Sequence, residues 1–232
     1  MVNKNKEMFP QENQNKDVIP WWSIPIIVIL SMMFIFSFIG RTFVIPSESM
    51  MPTLIGCQGC ENDRVIADKV SYYFSEPQQN DIIVFRDNGE WGLEEKREDS
   101  FIETLKEPLR NMGLSNSYYL IKRVAATEGQ TIQCLPGDPG ILVDGKKIPK
   151  RNESIENTKS YNDTGSEQCG GPYFGPITVE KDRIFVIGDN RENSADSRYH
   201  LDNGHNGTIP EHNVYGKANI IFYPMDRIGK VQ

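Results

Sequence analysis

Hydrophobic and polar positions divide this chain into two unlike parts. No residue between Val18 and Gly40 carries a charge, and the centre of that stretch, Ile24 to Ile39, reads IPIIVILSMMFIFSFI. A helix of about 23 residues rises roughly 34 Å, enough to cross the hydrocarbon layer of a bilayer. Pro25 stands near the start, where a missing N–H is tolerated, and Trp21 and Trp22 flank the run where interfacial aromatics are favoured. A core helix of this length without one charge is uncommon, so the pattern predicts a membrane span over 18–40. The exit, Phe38-Ile39-Gly40-Arg41-Thr42, offers no small-residue cleavage site, so the segment is expected to stay attached as an anchor. Lys4, Lys6 and Lys16 precede it and only Arg41 follows closely, which puts a tail over 1–17 in the cytoplasm and residues 41–232 outside.

Beyond the span the pattern shortens to strand-like apolar runs: Arg64 to Ala67, Asp81 to Phe85, Tyr118 to Val124, Ile141 to Val143, Arg183 to Ile187 and Ala218 to Tyr223. Asp144-Gly145 between two short runs is a strong hairpin signal, and Gly and Pro punctuate the remainder. The expected fold class is mainly β, an antiparallel β-rich domain preceded by one transmembrane helix. Two stretches break the pattern. Glu94 to Met112 carries Phe101, Ile102, Leu105 and Leu109 among many charges and predicts an amphipathic helical insert at about 90–115. Lys150 to Gln168 has almost no apolar residues and predicts a polar excursion at about 150–170.

Composition narrows the classes without choosing one. A formal net charge of −7 over 232 residues gives no basic face, which argues against a nucleic-acid partner. Four cysteines are too few for a disulfide-scaffold miniprotein.

Candidate chemistry lies directly after the span, in Ile45-Pro46-Ser47-Glu48-Ser49-Met50-Met51-Pro52-Thr53-Leu54. A serine nucleophile needs a group to take its proton. The three histidines, His200, His205 and His212, all fall in one Gly/Asn-rich region, where a hydrolase triad is conceivable. Lys122 is the other candidate: it sits inside the apolar run Tyr119 to Ala125, and burial would keep it partly neutral. The plain alternative is a strand lysine pointing to solvent.

These residues carry a resemblance. Ser47 to Leu54 just outside an amino-terminal span resembles the nucleophile box of type I signal peptidases, the bacterial leader peptidases that use a serine–lysine dyad. Asn80 to Phe85, Ile121-Lys122-Arg123-Val124 and Gly188 to Arg198 are similar to that family's remaining boxes, in the same order. The resemblance implies a membrane-bound serine endopeptidase that removes signal peptides from exported preproteins after small residues of Ala-x-Ala type. It implies Ser49 as nucleophile, Lys122 as general base, and the Ser47 hydroxyl with the Ser49 N–H as the oxyanion hole. Ser194 would orient the lysine, while Asp189 with Arg123 and Asp196 with Arg198 would form supporting ion pairs. Ile45, Pro46, Met50, Leu54, Leu120 and Ile121 would line shallow pockets for the substrate, with ordinary core packing as their plain alternative. No cofactor and no metal are implied; the implied partners are preproteins and membrane lipid.

The dyad adds two electrostatic requirements. Asp189 and Asp196 need partners other than the lysine, since an ammonium paired with either would stay protonated, and Glu48 must point away for the same reason. Apolar residues at Phe43, Val44 and Ile45 are expected to dip into lipid.

There are departures from the family pattern. Asn80 stands where the family begins a box with glycine, though Asn tolerates turn geometry. The loop from Tyr199 to Pro210 is longer than usual and, with Cys57, Cys60, Cys134 and Cys169, resembles the branch found in high-GC Gram-positive bacteria. His200, Asp202 and His205 in that loop read as a solvated loop rather than a metal site. Outside the membrane thiols tend to be oxidised, and four cysteines permit three connectivities; Cys57–Cys60 with Cys134–Cys169 is favoured, against a zinc half-site at Cys57 and Cys60. A self-cleaving repressor-type protease would need a DNA-binding domain in place of the span. A non-catalytic anchored β-rich binding domain leaves the coexistence of the two serines, the lysine and the Gly188 to Arg198 run without a reason.

Overall fold

The computed structural model describes residues 20–38, 40–92, 119–151 and 164–231. The tail over 1–17, the expected helical insert over 94–112 and residues 152–163 of the polar excursion lie outside the described residues. The chain divides into two compact units, Met1–Phe34 and Ile35–Gln232.

The first unit contains most of helix α1, Ser23–Phe38, which is 16 residues long. Pro25 sits in its first turn, where backbone N–H groups have no intrahelical partner to lose. Ile24, Ile26, Ile27, Val28, Ile29, Leu30 and Met32 are all exposed, so the helix is apolar on every side rather than along one stripe. Its rise is about 24 Å. Among the described residues no helix is long and apolar enough to cross a membrane.

The second unit is built from antiparallel strands. In chain order these are β1 Gly40–Val44, β2 Arg64–Asp68, β3 Ile82–Arg86, β4 Tyr119–Thr127, β5 Thr131–Cys134, β6 Leu142–Val143 and β7 Lys146–Lys147. There follow β8 Gly165–Ser166, β9 Gly171–Pro172, β10 Phe174–Thr178, β11 Arg183–Ile187, β12 Ile209–Pro210, β13 Val214–Tyr223 and β14 Gly229–Lys230. Among the described residues the largest sheet runs β1-β2-β13-β3-β4-β11-β12 with β14 on β13, and a smaller one runs β10-β5-β6-β7. Each apolar run of the sequence falls on one of these strands. The hairpin at Asp144-Gly145 joins β6 to β7, with both residues in the left-handed region at φ +50° and +76°.

Strands β3, β4 and β11 are buried along nearly their whole length, which is why they read as continuous apolar runs rather than alternating ones. Ala125, Ala126, Phe185 and Ile187 from β4 and β11 pack on Ile132, Val143, Phe174 and Ile177 of the smaller sheet. At the other end Val65, Ala67, Ile82, Val84, Ala218 and Ile221 form a second apolar cluster. The segment after β1 folds down onto this second cluster through Ile45, Met50 and Leu54. Both cysteine pairs are joined, Cys57–Cys60 and Cys134–Cys169.

Candidate active site

The segment after β1 is held at three levels. Ile45 is buried and its N–H donates to Asp63 O at 2.9 Å, continuing the edge of the sheet. Residues Glu48–Met50 then form one short 3-10 turn. Met50 is fully buried and Leu54 N–H closes on its carbonyl at 3.0 Å, so the turn is nailed to the core just past Ser49. Pro46, Ser47 and Glu48 remain exposed on the other side.

From across the fold the loop after β11 grips the same turn. Asn190 N–H donates to Ser49 O at 3.1 Å and its Nδ2 donates to Glu48 O at 3.1 Å. Asn193 Nδ2 donates to the Glu48 carboxylate at 2.8 Å, which turns that acid outward. Gly188 makes this approach possible: a Cβ there would lie 2.2 Å from Ser194 Oγ and 2.5 Å from Ser49 O. Only glycine leaves that space.

Lys122 lies in β4 directly opposite Ile83 of β3 and is 4% exposed. Its Nζ is 2.7 Å from Ser49 Oγ and 3.1 Å from the Ile121 carbonyl. Burial is the main cause that lowers its pKa, to about 8; the charges of Asp196 and Asp189 oppose this and that of Arg198 assists. Both carboxylates are engaged elsewhere. Arg123 clamps Asp189 bidentately at 2.7 and 2.6 Å, and Thr53 Oγ1 donates to the same carboxylate at 2.5 Å. Arg198 clamps Asp196 at 2.8 and 2.9 Å, and Gly188 N–H adds a bond at 2.9 Å. Burial alone would raise the Asp196 carboxyl, but the Arg198 charge and these hydrogen bonds outweigh it and hold it below its usual range. Ser194 Oγ adds to that field without reaching hydrogen-bond geometry to any described group.

Ser47 Oγ stands 3.2 Å from Ser49 Oγ on the open side of the turn. The arrangement can therefore move a proton between Ser49 and Lys122, with the Ser47 hydroxyl beside the same oxygen. Of the expected pocket residues, Ile45, Met50, Leu54 and Ile121 share one apolar cluster. Leu120 does not join them: it packs with Ile83, Phe85 and Val124, and Pro46 lies exposed. Of the three residues expected to meet lipid, only Val44 is exposed. Ile45 is core, and Phe43 packs edge-on against Tyr119 and Tyr215. Asn80 does take the left-handed conformation, φ +76°, and its carbonyl accepts from Arg123 at 2.8 Å.

In the long loop His200 stacks on Trp91 with ring centroids 4.6 Å apart, and His205 Nδ1 lies 2.9 Å from Glu180. Among the described residues no group of three or more His, Cys, Asp or Glu side chains is placed to hold a metal ion. Thr53, Gly188, Asn190 and Asn193 were not singled out by role in the sequence. The partners of Thr53, Asn190 and Asn193 in these bonds are more than 130 residues away, and no local pattern announces such a contact.

Comparison with known proteins decides the family. The sequence profile described as signal peptidase, peptidase S26 matches residues 18–223. A probable signal peptidase I from Mycobacterium leprae is 40% identical over 84% of this chain and 72% of its own length. The signal peptidase I of Mycobacterium tuberculosis is likewise 40% identical, over 84% of this chain and 69% of its own. The chain belongs to the signal peptidase I family. It is a serine endopeptidase, a hydrolase, and its similarity to the mycobacterial members agrees with a high-GC Gram-positive branch. A signal peptidase I of known structure from Enterococcus faecalis matches 62% of this chain at 21% identity and a TM-score of 0.35, too low to carry a fold argument.

Proposed function

We propose that this chain is a membrane-anchored peptidase that removes signal peptides from exported preproteins, cutting after small residues with a Ser49–Lys122 dyad. The observation that carries the reading is the 2.7 Å approach of a buried lysine to a serine whose backbone is clamped from two sides.

In the proposed reaction neutral Lys122 Nζ takes the Ser49 proton as Oγ attacks the scissile carbonyl carbon. The resulting oxyanion is held by the Ser49 N–H and the Ser47 hydroxyl. The intermediate collapses to an acyl-enzyme, and the Lys122 ammonium gives its proton to the departing amine of the mature chain. A water then loses a proton to Lys122 and attacks the ester carbon; as the C–O bond to Ser49 breaks, Lys122 returns that proton to Ser49 Oγ and the signal peptide leaves with its new carboxyl terminus. Arg123 and Arg198 act by occupying Asp189 and Asp196, and Ser194 acts on the lysine only indirectly, by favouring the charged form of Asp196. Of the expected pocket residues Ile121 keeps some surface for a small substrate side chain, while Ile45, Met50 and Leu54 are core that supports the site from beneath. An extended substrate would add main-chain hydrogen bonds along a nearby strand edge, for which β1 is a candidate.

The proposed anchor is helix α1, Ser23–Phe38, within the uncharged stretch expected to span; Gly40, the last residue of that stretch, belongs to β1 instead. A helix apolar on every side, with its side chains exposed, supports that role, because such a surface finds no partner in water. The lysines before it favour a cytoplasmic amino terminus and an extracytoplasmic catalytic domain.

The test is to incubate the detergent-solubilised full chain with a preprotein carrying an Ala-x-Ala site, beside the Ser49→Ala variant. Cleavage at that site by the parent alone is expected. Absence of cleavage by both overturns the substrate assignment, and cleavage by both overturns the nucleophile.

A further inference from the structure

Cys134, Cys169 and the two glycines that follow Cys169 have no part in the reaction described above, yet they converge on its support. The Arg198 side chain is fully buried, so each N–H left without an acceptor is costly. A guanidinium has five N–H donors, and among the described residues acceptors meet all three of its nitrogens. Nε and Nη2 donate to Asp196, Nη2 also donates to Arg191 O at 2.7 Å, and Nη1 donates to Cys169 O at 3.2 Å and Gly170 O at 3.1 Å.

The last two carbonyls belong to the tip of the β8–β9 hairpin. Its ladder is only two residues long on each side, too short to hold itself in water. The tip is tied down by the disulfide from the buried Cys169 to the buried Cys134 at the end of β5, beside Lys150 Nζ donating to Glu167 O at 3.0 Å. The sequence Cys169-Gly170-Gly171 fits the cradle. Gly170 is left-handed at φ +65°, with Arg191 Cβ 2.3 Å from where its own Cβ would lie, and a Cβ on Gly171 would stand 3.0 Å from Arg198 Nη1 and from the Tyr199 hydroxyl.

We infer that the Cys134–Cys169 disulfide and the Cys-Gly-Gly tip form a positioning element for catalysis, which keeps Arg198 locked on Asp196 and so keeps Asp196 from becoming the counter-ion of Lys122. This rests on the Ser49–Lys122 reading. Among the described residues the ionisable groups around the pair have contacts of their own. Asp189 is held by Arg123; Arg191 donates to Pro149 O; Glu192 pairs with Lys150; Tyr199 lies with its ring 5.6 Å from the Arg198 guanidinium. Of the charges acting on Lys122, Asp196 is the one that most favours its protonated form, and Arg198 is the one that offsets it. Loosening the tip withdraws the Cys169 and Gly170 carbonyls and frees the guanidinium to shift from Asp196, whose charge then acts on the lysine with less opposition.

The test is kcat and KM as functions of pH for the full chain in detergent, with a soluble peptide bearing an Ala-x-Ala site. The Cys134→Ser/Cys169→Ser variant should have its acid limb moved up by about one pH unit, which is about a tenfold loss of kcat at pH 7 that closes at alkaline pH. KM should be unchanged, and Cys57→Ser/Cys60→Ser should superimpose on the parent. Gly171→Ala, which crowds Arg198 with the disulfide intact, should move the limb in the same direction. It decides the question alone if the cysteine variant does not fold. An unmoved limb in Gly171→Ala and in any folded cysteine variant, with only thermal stability lowered, overturns the inference and leaves a simple staple. Ser49→Ala in the same assay separates the two levels: if it cleaves, the dyad reading itself has failed.

Discussion

Lys122 Nζ stands 2.7 Å from Ser49 Oγ, and among the described residues no ion pair holds the lysine's charge. The two carboxylates that could do so are each clamped by an arginine, so burial dominates and the amine titrates near 8. At neutral pH a free lysine is well under ~0.1% deprotonated. With a pKa about 8, roughly a tenth is neutral at pH 7 and ready to accept a proton from a hydroxyl within hydrogen-bond reach. In the proposed reading a strand lysine among apolar neighbours serves as a base because its neighbours' charges are already satisfied.

That poise has a stability cost that can be measured. Between pH 8 and about 10.5 the unfolded chain keeps its Lys122 proton while the folded chain has released it, so the unfolded state binds more protons and stability rises with pH across this window. Lys122→Met, which fills similar volume without charge, should be more stable than the parent at pH 7 by on the order of 3 kcal/mol. Denaturant unfolding at pH 7, 8, 9 and 10 should show the gap narrowing with pH. A constant gap would mean that the lysine is not held neutral by the fold.

Ser47 sits where a second hydroxyl can meet the oxyanion, 3.2 Å from Ser49 Oγ. Losing one such donor typically costs about 10²–10³ in kcat. Ser47→Ala should therefore slow turnover by that factor with little change in KM, and Ser47→Thr should retain much of the rate. Full turnover by the alanine variant would remove the hydroxyl from the mechanism.

Much of this arrangement can be read from the chain, and the remainder is non-local. The apolar runs at Arg183 to Ile187 and Ile82 to Phe85 announce buried strands because both of their faces are covered. Asp144-Gly145 announces its hairpin because both positions need φ above zero. Leu120 was harder. It adjoins Ile121, but neighbouring strand positions face opposite ways and the two side chains enter different clusters. Phe43 and Ile45 share apolar character with Val44, yet only the register of β1 on β2 and the fold of the next turn bury them and leave Val44 out. Glu48 had to turn away from the lysine, but the means, Asn193, stands 145 positions along the chain. A side-chain amide in an exposed loop carries no local signal of such a partner.

That clamp predicts a pH effect of its own. Asn193→Ala should free the Glu48 carboxylate to approach Lys122 and raise its pKa by a few tenths of a unit, since the acid is exposed and solvent screens it. The acid limb of kcat/KM should move up by that amount. Adding Glu48→Gln to Asn193→Ala should bring it back. If the double variant stays shifted, the Asn193 effect runs through the backbone rather than through charge.

The central claim is that Lys122 is the base for Ser49, and the pH dependence of kcat/KM on a soluble Ala-x-Ala peptide tests it most directly, for the parent and Lys122→Ala side by side. Below about pH 8 the parent should gain close to tenfold per pH unit and then level off, while Lys122→Ala remains folded with its rate down by at least about four orders of magnitude throughout. A parent profile flat from pH 5 to 9, or near-parental turnover by Lys122→Ala at neutral pH, would contradict the dyad.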